Sequence, residues 1–255
     1  LTAEPSPERG RHVRHKGGDF AQGSVGLPAG SLLNAAALGE AVIAGYGELS
    51  VGTQPRVAVV STGDELVAPG SATLPHQIPA SNDVMLSAML SGLTAETRSL
   101  SRIPDDMDIL CQTLESAKDC DIIVTIGGAS VGDHDLVGPA FRKLGAAIDF
   151  YKIAMKPGKP VMAGRLGKTV ILALPGNPAS AFVAATLFLL PLIRYMAGAA
   201  RYLPAYQSAP TREALPANGP RAQFLRAKAD QAGITPFHSQ DSPNPSVPAA
   251  PHDLP

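Results

Sequence analysis

Asp121-Ile122-Ile123-Val124-Thr125-Ile126-Gly127-Gly128 decides the fold. An unbroken apolar and β-branched run describes a central strand covered on both faces, and paired glycines stop it. A strand of this kind needs helices on both sides, which makes its neighbours the next thing to read.

Outward from it, Val57-Ala58-Val59-Val60 forms a second buried strand, ending in Ser61-Thr62-Gly63-Asp64-Glu65, and Thr169 to Leu174 a third. Helical periods fill the intervals. Leu86, Met89, Leu90 and Leu93 fall at i, i+3, i+4 and i+7 behind Asn82, a candidate cap. Met107, Leu110, Cys111 and Leu114 follow Pro104-Asp105, and Leu136, Val137, Ala140, Phe141 and Leu144 mark another helix. After Leu174 comes Pro175-Gly176-Asn177-Pro178, with Asn177 as N-cap and Pro178 in the first helical position of a long apolar helix. From Gln54 to Gly198 this alternation predicts an α/β fold, a three-layer α/β/α domain with a mostly parallel sheet.

The flanks differ. Residues 1–54, opening on Leu1 with a Pro/Glu/Arg-rich run and then a Gly-rich stretch, read as the C-terminal part of an upstream domain, and the whole chain reads as a fragment or processed product. Residues 55–198 are the core domain. Residues 199–255 carry ten prolines and read as a partial, β-rich C-terminal domain with a frayed tail. With 21 basic and 22 acidic residues, a net charge of -1 supplies no field for nucleic acid, so any anion is met locally. Cys111 and Cys120 sit in no metal spacing and read as buried thiols of a reducing compartment, which favours the cytoplasm. Ala179 to Ile193, shorter than the roughly 20 residues of a membrane span and interrupted by Pro191, is expected to be a core helix.

Ligands of open α/β sheets bind where the strands end. Four unusual segments follow predicted strands: 61–65, 127–135, 155–160 and 174–180. Lys156-Pro157-Gly158-Lys159 has the proline and glycine that a type II turn asks for, which brings both ammonium groups to one anion. Gly127-Gly128-Ala129-Ser130-Val131-Gly132 offers unshielded backbone N–H groups and a hydroxyl, suited to phosphate or a flat heterocycle. Gly176, Asn177 and Ser180 stand at a positive helix end. Glu65, Asp106 and Asp135, with Asp19, suit a divalent cation such as magnesium. Asp105, Asp106 and Asp108 suit a helix N-terminus equally well, and both uses stand open.

In order, Ser61-Thr62-Gly63-Asp64-Glu65-Leu66, Gly127 to Asp135, Lys156-Pro157-Gly158-Lys159-Pro160 and Leu174-Pro175-Gly176-Asn177-Pro178-Ala179-Ser180 resemble the molybdopterin molybdenumtransferases, the family of bacterial MoeA and the E domain of gephyrin. Val13-Arg14 to Gly23 upstream, and Phe224-Leu225-Arg226 and Gln240-Asp241-Ser242 downstream, extend the likeness. The resemblance implies a MoaB/Mog-like core and an enzyme that inserts molybdate into adenylated molybdopterin with release of AMP, assisted by Mg2+. It also implies a homodimer in the full-length form and contact with other proteins of the molybdenum-cofactor pathway; the charge balance and the short apolar segment lead to the expectation of no nucleic-acid and no membrane partner.

By the same likeness Lys156, Lys159, Pro160 and Ser180 match the molybdate pocket, with Arg221 and Ser242 as looser oxyanion contacts. Asp19, Glu65, Asp106 and Asp135 match acidic residues of metal binding and turnover, with Glu65, Asp106 and Asp135 as the metal set. Ser61, Thr62, Gly63, Gly127, Gly128, Ser130, Gly132, Gly158, Gly176 and Asn177 match the pterin and phosphate site. The family's N-terminal segment and final strands have no counterpart in this sequence. The rival activity within the pathway is adenylylation of molybdopterin, against which Ala129-Ser130-Val131-Gly132 speaks, because that glycine turn usually reads G-G-T-G. A non-catalytic scaffold is the other alternative, and the intact lysine and acidic sets disfavour it.

Overall fold

A computed structural model of the 255-residue chain describes residues 10–128, 136–237 and 240. Two compact units emerge, Leu1–Gly52 and Thr53–Pro255. The first contains α1 (Ala35–Ile43), capped by Asn34, whose Oδ1 accepts from the Ala37 N–H at 2.9 Å. Asp19 lies in this unit, exposed and paired with Arg14 at 3.5 Å.

The second unit runs β1 (Arg56–Thr62), β2 (Leu66–Val67), β3 (Ile78–Pro79), α2 (Ser81–Leu90), β4 (Glu96–Ile103), α3 (Met107–Ser116), β5 (Ile122–Ile126), α4 (Val137–Lys143), β6 (Ala147–Tyr151), β7 (Met155–Lys156), β8 (Met162–Leu166), β9 (Thr169–Leu174), α5 (Pro178–Met196), β10 (Ala222–Gln223), β11 (Ala227–Asp230) and β12 (Gly233–Pro236). Six strands form the main sheet in the order β4-β1-β5-β9-β8-β6. Strands β4, β1, β5 and β9 are parallel, whereas β8 runs antiparallel to both β9 and β6.

Alternation along the central strands sorts the core into two faces. Ala58, Val60, Ile123, Ile171 and Ala173 meet Leu110, Cys111 and Leu114 of α3 and Val137, Ala140 and Phe141 of α4. Val57, Val59, Ile122, Val124, Leu172 and Leu174 meet Leu86 and Leu90 of α2 and Ala181, Ala184, Ala185, Leu189 and Ile193 of α5. Successive residues of one strand thus serve opposite layers, as the period of two requires. At ~1.5–3 kcal/mol for each large apolar side chain removed from water, these faces supply the main driving force of the fold.

The main sheet is mostly parallel, as expected; within it β8 reverses, which returns β6 to the direction of β9 and puts its C-terminal end on the same edge as those of β1, β5 and β9, while two other expectations change. Gly164 permits that reversal, because a Cβ there would run into the Ala147 carbonyl. The apolar segment is longer than expected. Helix α5 is long and apolar enough by length and composition to cross a membrane, and Pro191 does not end it because the turn Ala185–Leu189 ahead widens to π geometry. Its small residues at 181, 184 and 185 and its apolar residues at 189 and 193 cover the sheet as a core helix does. Finally, Asn82 does not cap α2. The capping position falls to Ala80, which makes no side-chain cap bond, and Asn82 lies within the first turn.

At the opposite end of the sheet Arg56 and Arg98 share Asp119, at 2.8 and 3.0 Å, and Glu96, at 3.0 and 3.6 Å. Hydrogen bonds from Arg98 and then Arg56 hold the Asp119 carboxyl down at about 2. A carboxylate lowered in the folded state stabilises above its unfolded value near 4 and loses that contribution as pH falls toward 2. Asp119→Asn should therefore flatten the fall in stability between about pH 4 and 2, as read by denaturant midpoints, with the size tempered by exposure.

Candidate functional site

The ends of β1, β5 and β9 close on one another through glycines. Thr62, nearly buried, ends β1, and a Cβ on Gly127 would stand 2.9 Å from its carbonyl oxygen. Gly127 and Gly128 have φ of 87° and 57°, a conformation that glycine adopts without a Cβ penalty. Gly127 donates its N–H to the Leu174 carbonyl at 3.3 Å, and a Cβ on Gly176 would meet the Gly127 Cα at 3.4 Å. From β4, the Ile103 carbonyl accepts from the Gly63 N–H at 3.1 Å, and Asp105 donates its N–H to Asp64 Oδ1 at 3.1 Å. The turns after β1, β4, β5 and β9 therefore form one contiguous floor.

The lysine segment joins this floor from the β6 side. Lys152 N–H to the Val161 carbonyl and Ile153 N–H to the Lys159 carbonyl, both at 2.9 Å, close residues 152–161 into a loop. A Cβ on buried Gly158 would lie 3.1 Å from Met155 Cε and 3.6 Å from the Ser180 carbonyl, so the loop seats on the first turn of α5. Lys156 and Lys159 remain exposed on it, with Pro160 half-buried. The tetrapeptide is not the expected type II turn. Its Lys156–Pro157 bond is cis, and the Lys156 carbonyl accepts not from Lys159 but from the Phe224 N–H at 2.8 Å. Gly158 keeps the positive φ, 96°, that the sequence suggested.

That bond belongs to an unexpected pairing. Strand β10 lies parallel to β7, with Ala222 opposite Met155 and Gln223 opposite Lys156. Arg221, exposed, immediately precedes β10, the strand that pairs with the one carrying Lys156. Ser180 stands where predicted, at the start of α5, whose cap is Asn177: Asn177 Oδ1 accepts from the Ser180 N–H at 3.2 Å. The helix end is therefore partly satisfied by its own cap, and its remaining gift to an anion is the positive dipole.

Two adjacent residues of α2 tie the floor together. Asn82 Nδ2 donates to the Gly176 carbonyl at 2.7 Å, and Ser61 donates to the buried Asp83 carboxylate. Burial pushes the Asp83 carboxyl up, against Ser101 and Arg102, which pull it down. Sequence reasoning did not single out Asp83. The signal lay in its spacing, since 83, 86 and 90 share the buried face of α2.

The carboxylates do not assemble a metal centre among the described residues, which contain no group of three or more His, Cys, Asp or Glu side chains fit to hold an ion. Asp106 is the N-cap of α3, accepting from the Asp108 and Ile109 N–H groups at 2.9 Å each, so of its two readings the capping one is realised. The Glu65 carboxylate folds over Gly63, in the space that a side chain there would take. Asp135, with Ser130, Gly132 and Ser242, lies outside the described residues, and Asp19 belongs to the other compact unit.

A three-layer α/β/α sheet whose strand ends are bridged by glycines, with a two-lysine loop seated on a capped helix, places the candidate site at the edge where open α/β sheets hold their ligands. Residues 58–195 match the family model described as "Probable molybdopterin binding domain", and the chain belongs to that family. Among curated relatives, molybdopterin molybdenumtransferase 2 of Mycobacterium tuberculosis is 37% identical over 231 residues, covering 88% of this chain and 57% of that protein. The molybdopterin molybdenumtransferase of Nostoc is 33% identical over 86% of this chain and 52% of its own length. The chain thus spans about half the length of the curated relatives it matches. The molybdopterin biosynthesis MoeA protein of Pyrococcus horikoshii shares the fold, with a TM-score of 0.71 at 24% identity over 88% of this chain and 55% of that one.

Proposed function

We propose that this chain is the core of an enzyme of molybdenum-cofactor biosynthesis, a transferase that inserts molybdate into adenylated molybdopterin and releases AMP. One observation carries the reading: the loop bearing Lys156 and Lys159 rests on the first turn of α5 through Gly158 and Ser180, while Gly176 at the foot of that helix abuts Gly127. Two cations and a helix end thereby border a glycine floor suited to a phosphate-bearing heterocycle.

In this reading Lys156 and Lys159, with Ser180 and Pro160 beside them, gather molybdate, and Arg221 adds a third cation from the β10 side. Ser61, Thr62, Gly63, Gly127, Gly128, Gly158, Gly176 and Asn177 border the pterin and its phosphate, joined by Ser130 and Gly132. Preorganised donors aimed at an oxyanion act without reorganisation during the reaction, which is how this edge favours transfer. Magnesium would assist by screening the phosphate, and of its proposed ligands Glu65, Asp106 and Asp135, Asp106 already accepts from the Asp108 and Ile109 N–H groups as the cap of α3. Asp19 serves turnover. A cytoplasmic site of action, a homodimer of the full-length protein and contact with other cofactor-pathway proteins complete it.

The test is a paired assay on the full-length protein. Adenylated molybdopterin plus molybdate, with and without Mg2+, should release AMP, and no pyrophosphate should form from ATP and molybdopterin. Folded protein that makes pyrophosphate but no AMP would replace this reading with adenylylation, and one that does neither would leave a scaffold.

A further inference from the structure

Two exposed lysines can serve one anion only if the backbone beneath them is held, and one side chain reaches the backbone of both. Met155 immediately precedes Lys156, and its methyl group reaches Gly158, which immediately precedes Lys159. A Cβ at 158 would stand 3.1 Å from Met155 Cε and 3.6 Å from its Sδ. The same point lies 3.6 Å from the Ser180 carbonyl, so the thioether packs where the loop meets the first turn of α5.

Met155 is only 2% exposed, yet it is grouped with neither face of the sheet's core. Its packing therefore acts on the loop rather than on either helical layer. Strand β10 fixes it from the other side: Ala222 and Phe224 donate their N–H groups to the carbonyls of Ala154 and Lys156 at 2.8 Å each, bonds that bracket Met155. The Met155 N–H turns back to the Ile153 carbonyl, also at 2.8 Å. An unbranched thioether suits this irregular gap, because its rotatable bonds let it fill space that a branched side chain would not.

We infer that Met155 is a positioning residue for the anion: its thioether fixes the span between Lys156 and Lys159 and seats both at the first turn of α5. It acts through the lysines and not on the anion. The inference rests on the proposed gathering of an oxyanion by these two lysines, and it adds the residue that makes them act together.

The experiment is titration calorimetry of this chain with sodium molybdate, with denaturant midpoints alongside. Met155→Ala should weaken molybdate about tenfold or more, the worth of one charge-assisted hydrogen bond, because one ammonium group no longer reaches the anion that the other holds. Met155→Leu, close in volume, should restore affinity to within about threefold of the unaltered chain. Leu110→Ala opens a cavity in the α3 side of the core instead, and should lower the midpoint with molybdate affinity unchanged. The deciding readout is a double-mutant cycle. Lys156→Ala should cost about tenfold or more in the unaltered chain but less than about twofold beside Met155→Ala, since a lysine out of place has little left to lose. Met155→Val carries the same expectations should the alanine variant not fold. Equal losses on Lys156→Ala in both backgrounds, a leucine variant that regains stability but not affinity, or Leu110→Ala weakening molybdate as much as Met155→Ala does overturns the inference, and so does an unaltered chain that binds no molybdate. Met155-dependent binding in a protein that releases no AMP from the adenylate would instead overturn the proposed reaction and leave the role of Met155 standing.

Discussion

Lys159→Ala, made in the full-length protein, should raise the molybdate concentration that gives half-maximal AMP release by ~10- to 100-fold, the worth of one charge-assisted hydrogen bond. Stability should hardly move, within about 0.5 kcal/mol, because the side chain is exposed and the loop is closed by backbone bonds of residues 152, 153, 159 and 161. Loss of anion affinity without loss of fold is the signature of a binding cation. Lys156→Ala should behave alike, since its carbonyl, and not its ammonium group, anchors β10. If both variants use molybdate normally, the two-lysine loop is a solvated surface turn.

Gly127→Ala should be more damaging, and in a different quantity. The new methyl group would meet the Thr62 carbonyl at 2.9 Å, on a backbone held at a φ of 87°. Backbone strain of that kind costs about 1–3 kcal/mol, before the clash is relieved by parting β1 from the turn after β5. That parting spoils the floor, so kcat/KM for the adenylate should fall by ~100-fold or more, as misplacement of about 1 Å commonly does. A variant with a lowered denaturant midpoint but full activity would show that the glycine floor serves stability alone.

How much of this was legible follows the physics of each element. Strands β1, β5 and β9 announced themselves because both of their faces are buried, leaving unbroken apolar runs at Val57–Val60, Ile122–Ile126 and Thr169–Leu174. Strand β4, Glu-Thr-Arg-Ser-Leu-Ser-Arg-Ile, lies at the sheet edge with Glu96 and Arg98 engaged in ion pairs, and its polar composition hid it. The reversal at β8 was hidden too. Met162-Ala163-Gly164-Arg165-Leu166 carries no mark of direction, and only Gly164 hints at the close approach of β6.

The site divides along the same line. Asn177 and Pro178 state their capping roles locally, so they could be read, and Asp106 carried both of its readings until the α3 backbone took its carboxylate. The docking of β10 on β7 joins residues more than sixty positions apart, and no local pattern at Ala222–Gln223 encodes it. Asp83 was concealed by being acidic where helices favour acids, although its burial depends on long-range contact with β1.

The most direct test is a crystal of this chain grown with molybdate, with the anion located by its anomalous scattering. A molybdenum peak should appear over the first turn of α5, with an oxygen within hydrogen-bonding reach of both Lys156 Nζ and Lys159 Nζ. A fully occupied peak elsewhere on the chain, with both lysines ordered and pointing into solvent, would contradict the idea that this sheet edge gathers an oxyanion.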